Sequence, residues 1–102
     1  MINQLLLVGK IKKMPIIESM KDDNELIIEV RRNYKNVNGV YEKDCFKCYL
    51  WLAISRKITV TCKEGDVVAI KGRLVNDNDS CRILAEQVVL VGKINDKEAN
   101  VI

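Results

Sequence analysis

Side chains alternate between the two faces of a strand, and residues 44–53 follow that alternation closely. Phe46, Cys48, Leu50 and Leu52 form one apolar set. Cys45, Lys47, Tyr49 and Trp51 form the other, a set that carries a cation and two large rings. The first set calls for a core on one side of a strand. The second is an odd choice for a face that only meets water. A slip of one residue would exchange the two sets, so this segment also states which face is inside.

The segment before it is its natural partner. In residues 26–32, Leu26, Ile28 and Val30 share one side, and Ile27, Glu29 and Arg31 share the other. Asn38-Gly39 lies between the two segments and accepts positive φ, which suits a hairpin turn. Two strands joined by a loop over residues 36–43 follow. Every aromatic residue of the chain falls in or beside this hairpin: Tyr34, Tyr41, Phe46, Tyr49 and Trp51. Arg31, Arg32, Lys35, Lys43 and Lys47 are interleaved with them. Cations follow a phosphate backbone and flat rings stack on unpaired bases, which is how single-stranded nucleic acid is commonly held. Tyr49 and Trp51 would equally well pack beneath a loop or a partner subunit.

The remaining elements are shorter readings. Residues 5–11 are a near-continuous apolar run, expected as a strand buried on much of both faces. Lys12-Lys13-Met14-Pro15 breaks it, with a short extension at Ile16-Ile17 and a polar turn over residues 20–24. In residues 55–63 the β-branched run 58–61 favours a strand. Ile54, Ile58 and Cys62 recur at helical spacing, Ser55 is available as a cap, and Gly65 follows, so a short helix is the reading adopted. Residues 66–74 form the fourth strand, with Val68 and Ile70 on one face and Val67, Ala69, Lys71 and Arg73 on the other. A polar turn over 76–80 leads to a fifth strand over 82–91, and the tail from residue 93 is polar. Periodicity alone gives a small, mostly β domain; five strands with one short helix between the third and fourth is the element order of an all-β, five-stranded oligonucleotide-binding (OB-fold) barrel.

Composition narrows the function. A chain of 102 residues suits one domain with its own core, and a net charge of +3 permits a polyanionic partner without demanding one. No apolar run reaches the roughly 20 residues a membrane span needs. The opening residues lack the basic segment and cleavage site of a signal peptide, so a cytoplasmic protein is expected. Cys45-x-x-Cys48 invites a metal reading. Residues three apart on a strand face opposite ways, however, Cys62 and Cys81 are isolated, and the chain has no histidine. Reduced thiols serving as small hydrophobes, with no metal and no cofactor, are expected instead. Without a histidine, a nucleophile–base pair or a phosphate-cradling glycine loop, nothing marks an enzyme.

Taken together, these residues resemble the bacterial single-stranded DNA-binding protein family over residues 1–94, leaving 95–102 as a short polar tail. Met1-Ile2-Asn3 with Leu6-Leu7-Val8-Gly9-Lys10 is similar to the family's opening strand. Arg32-Asn33-Tyr34-Lys35-Asn36, Gly39 and Asp44 match its second strand, hairpin and start of strand three without a gap. Trp51, Lys63-Glu64-Gly65, Gly72-Arg73-Leu74 and Ala85-Glu86 follow in register. The resemblance implies stacking positions at Tyr34 and Trp51, a third aromatic position lost to Cys45, and Lys47 at a polar or basic strand position. It also implies a homo-oligomer, dimer or tetramer, built through the first strand and the outer barrel faces. The chain ends at Asn100-Val101-Ile102, without the family's flexible linker and acidic tip, so recruitment of replication enzymes by that route is not expected.

The expected ligand is therefore single-stranded DNA, held by stacking and phosphate contacts in replication, recombination or mobile-element transfer. The candidate contact residues are Arg31, Arg32, Tyr34, Lys35, Lys47, Tyr49, Trp51 and Arg73. Within that set, the footprint is expected to be confined to Tyr34, Lys35, Lys47, Tyr49, Trp51 and Arg73. The turn over 76–80 is expected to be too short to project, with Asp77 and Asp79 repelling phosphate. The competing reading is a primosome-type adaptor that meets a replication or primosome protein through its Tyr49–Trp51 surface.

Overall fold

The computed structural model describes residues 1–17 and 24–93. The expected turn over 20–24, apart from Asn24, and the tail over 95–102 lie outside the described residues. The elements are β1 (Leu5–Lys13), β2 (Asn24–Lys35), β3 (Tyr41–Leu50), α1 (Leu52–Thr61), β4 (Val67–Asp77) and β5 (Ser80–Gly92). The strands close into a barrel in the order β1-β2-β3-β5-β4. All pairings are antiparallel except a short parallel contact of β3 with β5. This is the five-stranded barrel with one helix after the third strand that the sequence predicts.

The alternation expected in the central hairpin is the one observed. Leu26, Ile28, Cys48 and Leu50 are fully buried, and they meet Val68, Ile70 and Ala85 from the other wall of the barrel. Phe46 packs against this core from the rim, only partly buried. The stripe on α1 also holds: Ile58 is buried, and Ile54 and Cys62 pack beside it at the end of the barrel. Within the helix, Thr59 and Thr61 turn their hydroxyls back onto the carbonyls of Arg56 and Lys57, a rotamer open to threonine in a helix.

Several boundaries differ from expectation, each for a physical reason. β3 stops at Leu50, not at residue 53, because the helix starts at Leu52. Trp51 is its extended N-cap residue, and its carbonyl accepts the Ser55 N–H at 3.0 Å. Ser55 is thus inside the helix, buried and facing the barrel, and does not cap it. Gly65 does not end the helix either. It takes positive φ in the turn before β4 and donates its N–H to the Ile11 carbonyl. β1 continues through Lys12-Lys13 by way of an irregularity in its register, and Ile16 and Ile17 add no strand. β1 is buried on one face only, since Leu6 and Val8 are exposed.

The two hairpin turns are tighter than their sequences suggest. Around Gly39, the Asn36 side-chain oxygen accepts the N–H groups of Asn38 and Val40, and the loop shrinks to residues 36–40. Between β4 and β5 only Asn78 and Asp79 turn, both at positive φ, and Asp77 already pairs with Ser80. That two-residue geometry matches the twist of the strands it joins. It corrects the expectation of a hairpin too short to project. β1 accompanies β4 only to Gly72 and β3 accompanies β5 only over Ile83–Ala85, so the rungs from Val75–Arg82 to Asp77–Ser80 overhang the barrel.

Candidate nucleic-acid interface

The outward set of β3 lies against the outward set of β2 in strict register. Tyr49 faces Glu25, Lys47 faces Ile27, Cys45 faces Glu29, and Lys43 faces Arg31. β1 widens the same face, with Lys10 beside Glu29. The Lys12 ammonium reaches the Cys45 thiol at 3.6 Å. The result is a cationic strip in which Glu29 is surrounded. Lys43, 3.0 Å away, holds the Glu29 carboxyl below its usual value, with Lys12 and Lys10 adding to the effect. Lys47 meets Glu25 only at 3.9 Å and is largely exposed. Such an exposed pair is worth at most about 1 kcal/mol, so it does not withhold Lys47 from a stronger anion.

Rings stand at both ends of this strip. At one end Trp51 is 47 % exposed, held in extended conformation where β3 gives way to α1. Beside it, Tyr49, Leu84 and Arg73 form one rung across β3, β5 and β4. Tyr49, Trp51, Val75, Arg82, Ile83 and Leu84 line a depression of about 220 Å³. At the other end the hairpin presents Tyr34, 66 % exposed, and Tyr41. The Arg31 guanidinium sits 4.7 Å from the Tyr41 ring centroid and the Lys35 ammonium 5.6 Å from it. The Glu25–Tyr49 and Lys35–Tyr41 rungs bracket the strip; at about 3.3 Å per residue, the ring clusters are roughly 30 Å apart.

The expected contact residues therefore fall into separate places. Lys47, Tyr49, Trp51 and Arg73 gather at the barrel end. Arg31, Tyr34 and Lys35 gather on the hairpin. Arg32 is differently employed: it donates from Nε and Nη2 to the two Asp44 carboxylate oxygens at 3.0 and 2.9 Å, and from Nη1 to Glu42. This bidentate geometry is the strong form of an arginine–carboxylate bond. It raises the Arg32 pKa and lowers that of Asp44. Asn36 joins the group by donating to Glu42. Arg32 ties the two hairpin strands together.

Sequence reasoning passed over Lys10, Lys12, Tyr41 and Arg82. Lys10 falls inside the expected first strand without a role, and Lys12 falls in the expected break after it, although their spacing is that of one strand face. Tyr41 was assigned to a loop. Arg82 gains its place from the β4–β5 register, which rests on a turn shorter than expected. Cys45 and Cys48 occupy opposite faces, one exposed and one fully buried. Among the described residues no cluster of potential metal ligands is present, and no helix is long and apolar enough to cross a membrane.

Comparison with known proteins gives concordant matches. The model of the single-strand binding protein family matches residues 2–82. Single-stranded DNA-binding protein B of Bacillus subtilis (strain 168) is 30 % identical over 77 residues, covering 72 % of this chain and 68 % of that protein. Single-stranded DNA-binding protein 1 of Streptococcus pyogenes serotype M18 is 30 % identical over 81 residues, covering 76 % of this chain and 62 % of its own length. Among solved structures, the Plasmodium falciparum SSB complex with ssDNA superposes with a TM-score of 0.67 at 15 % identity, covering 89 % of this chain and 96 % of that one. At that identity the likeness speaks for the fold.

Proposed function

The chain belongs to the single-strand binding protein family, and on that premise we propose that it is a non-catalytic, cytoplasmic single-stranded DNA-binding protein whose strip of cations between ring clusters carries the strand. The observation that carries this reading is the continuous outer face of β1, β2 and β3. Cations outnumber carboxylates there, and exposed rings end it on both sides. Phosphates would be neutralised by Lys43, Lys47, Arg31, Lys35 and Arg73, with Lys10 and Lys12 added from β1. Bases would stack on Trp51, Tyr49, Tyr34 and Tyr41. Such a grip is largely indifferent to base identity, because every base has a flat face. Arg32 is left to hold the hairpin. The binding unit is residues 1–94, and replication, recombination or mobile-element transfer is the setting in which unpaired strands need cover.

A homo-oligomer is part of the same proposal. Val8, Ala69 and Val89 form one rung on the outer face of β1, β4 and β5, flanked by exposed Leu6 and Val91. β1 pairs with β2 only from Lys10 onward, so its first half has an open edge beside this apolar patch. An open edge next to exposed apolar side chains favours a second copy of the chain.

Trp51 fluorescence tests the reading. Emission should be quenched by oligo(dT), binding should weaken as salt is raised, and Trp51→Ala should cost about 1–3 kcal/mol of affinity. Unchanged affinity in a folded Trp51→Ala variant would remove Trp51 from the contact set.

A further inference from the structure

Arg82 lies on the overhanging part of the β4–β5 hairpin, opposite Val75. Its guanidinium carbon is 3.8 Å from the centroid of the Tyr49 ring. At that separation a planar cation rests on the ring face, attracted by the ring quadrupole. Its Nη1 donates at 2.9 Å to Oδ2 of Asp77, the diagonal neighbour across the hairpin. The overhang thus presses a flat, charge-compensated group onto β3. The depression beside it, about 220 Å³, is walled by Trp51 and lined by Val75 and Leu84. A cavity of about 150 Å³ already admits benzene, so there is room for one base.

We propose that this depression is a single-nucleotide subsite, in which one unpaired base stacks against Trp51 and the Tyr49–Arg82 pair. Asp77 is its positioning residue. The carboxylate offsets the Arg82 charge, so Arg82 contributes a planar surface to a base and not a phosphate contact. Asp77 then favours binding by holding Arg82 in place, the opposite of the repulsion its charge alone suggests. Asp79, in the turn itself, has no such role.

This subsite rests on the single-stranded DNA-binding reading, and one set of titrations separates the two. Wild type, Arg82→Ala, Arg82→Lys, Asp77→Asn, Asp77→Glu and Asp79→Asn are titrated with oligo(dT) at several salt concentrations, and each is melted to check its fold. Arg82→Ala and Asp77→Asn should bind about 10-fold more weakly, the scale of one lost stacking contact. Their salt slopes should stay at the wild-type value, since each lost phosphate contact would lower the slope by about 0.7. Arg82→Lys should be as weak as Arg82→Ala, Asp77→Glu should restore binding, and Asp79→Asn should match wild type. Val75→Phe, which fills the depression and leaves Arg82 and Asp77 themselves unchanged, should also weaken binding and keeps the test decisive where another variant fails to fold. Wild-type affinity in folded Arg82→Ala or Val75→Phe, rescue by Arg82→Lys, or a slope reduced by one phosphate overturns the subsite alone. Failure of the wild type to bind oligo(dT) overturns both readings.

Discussion

Single residues on β3 differ sharply according to the face they occupy. Cys48 is fully buried, and burial pushes its thiol pKa up to about 11, whereas Cys45 and Cys81 are exposed. The thiolate is the reactive form, so a thiol reagent at pH 8 should modify Cys45 and Cys81 in the native protein and reach Cys48 only on unfolding. Peptide mapping after brief labelling checks this, and early modification of Cys48 would mean the register is inverted. Asp44 shows the electrostatic side of the same strand. The Arg32 guanidinium lowers its folded pKa, so the stability this pair contributes is present above the ordinary carboxylate range and is lost as pH falls through the folded value. Melting temperature measured from pH 7 down to pH 2 should therefore drop in acid, and Asp44→Asn should flatten that drop. An equal drop in both proteins would remove the pair from the acid response.

At the scale of elements, close backbone approach decides where β4 and β5 cross into the barrel wall. Gly72 is buried, and a Cβ placed on it would collide with the Leu84 carbonyl oxygen. The obstacle is backbone, which has no rotamer to yield, so Gly72→Ala should cost about 1–3 kcal/mol, read as a lower denaturation midpoint. A wild-type midpoint would show that the two strands can part without loss. The junction of β3 with α1 shapes the candidate site. Ending β3 at Leu50 frees Trp51 from the ladder and leaves its ring beside the β5 edge, where the depression forms.

For the whole molecule, the two exposed surfaces share β1 and otherwise lie on different walls of the barrel. The cations and rings lie chiefly over β1, β2 and β3, while the apolar rung of Val8, Ala69 and Val89 lies over β1, β4 and β5. The proposed association through the second would leave the β2 and β3 part of the first open. Leu6→Glu with Val8→Glu should shift the sedimentation coefficient toward that of a monomer, while each subunit still shows quenching of Trp51 by oligo(dT). Unchanged sedimentation would move the oligomer interface elsewhere.

Residues 26–32 and 44–50 determined the central hairpin and its faces by themselves, because a period of two is a local property and a buried core tolerates only one register. The same holds for the helical stripe of Ile54, Ile58 and Cys62 and for the rings and cations of the hairpin. The start of the helix was less legible, since Ser55 offers a capping side chain but is drawn into the barrel by its neighbours. The Asn78-Asp79 turn was legible only in part, because polar residues mark a turn without stating its length. Lys10 and Lys12 joined the strip only when β1 was laid beside β2. Arg82 reached Tyr49 only because a parallel contact brings β5 against β3, two strands far apart in the chain. Pairings of that kind depend on how the sheet closes, and closure is decided by the tertiary structure, since no local pattern encodes which distant strand supplies the neighbour.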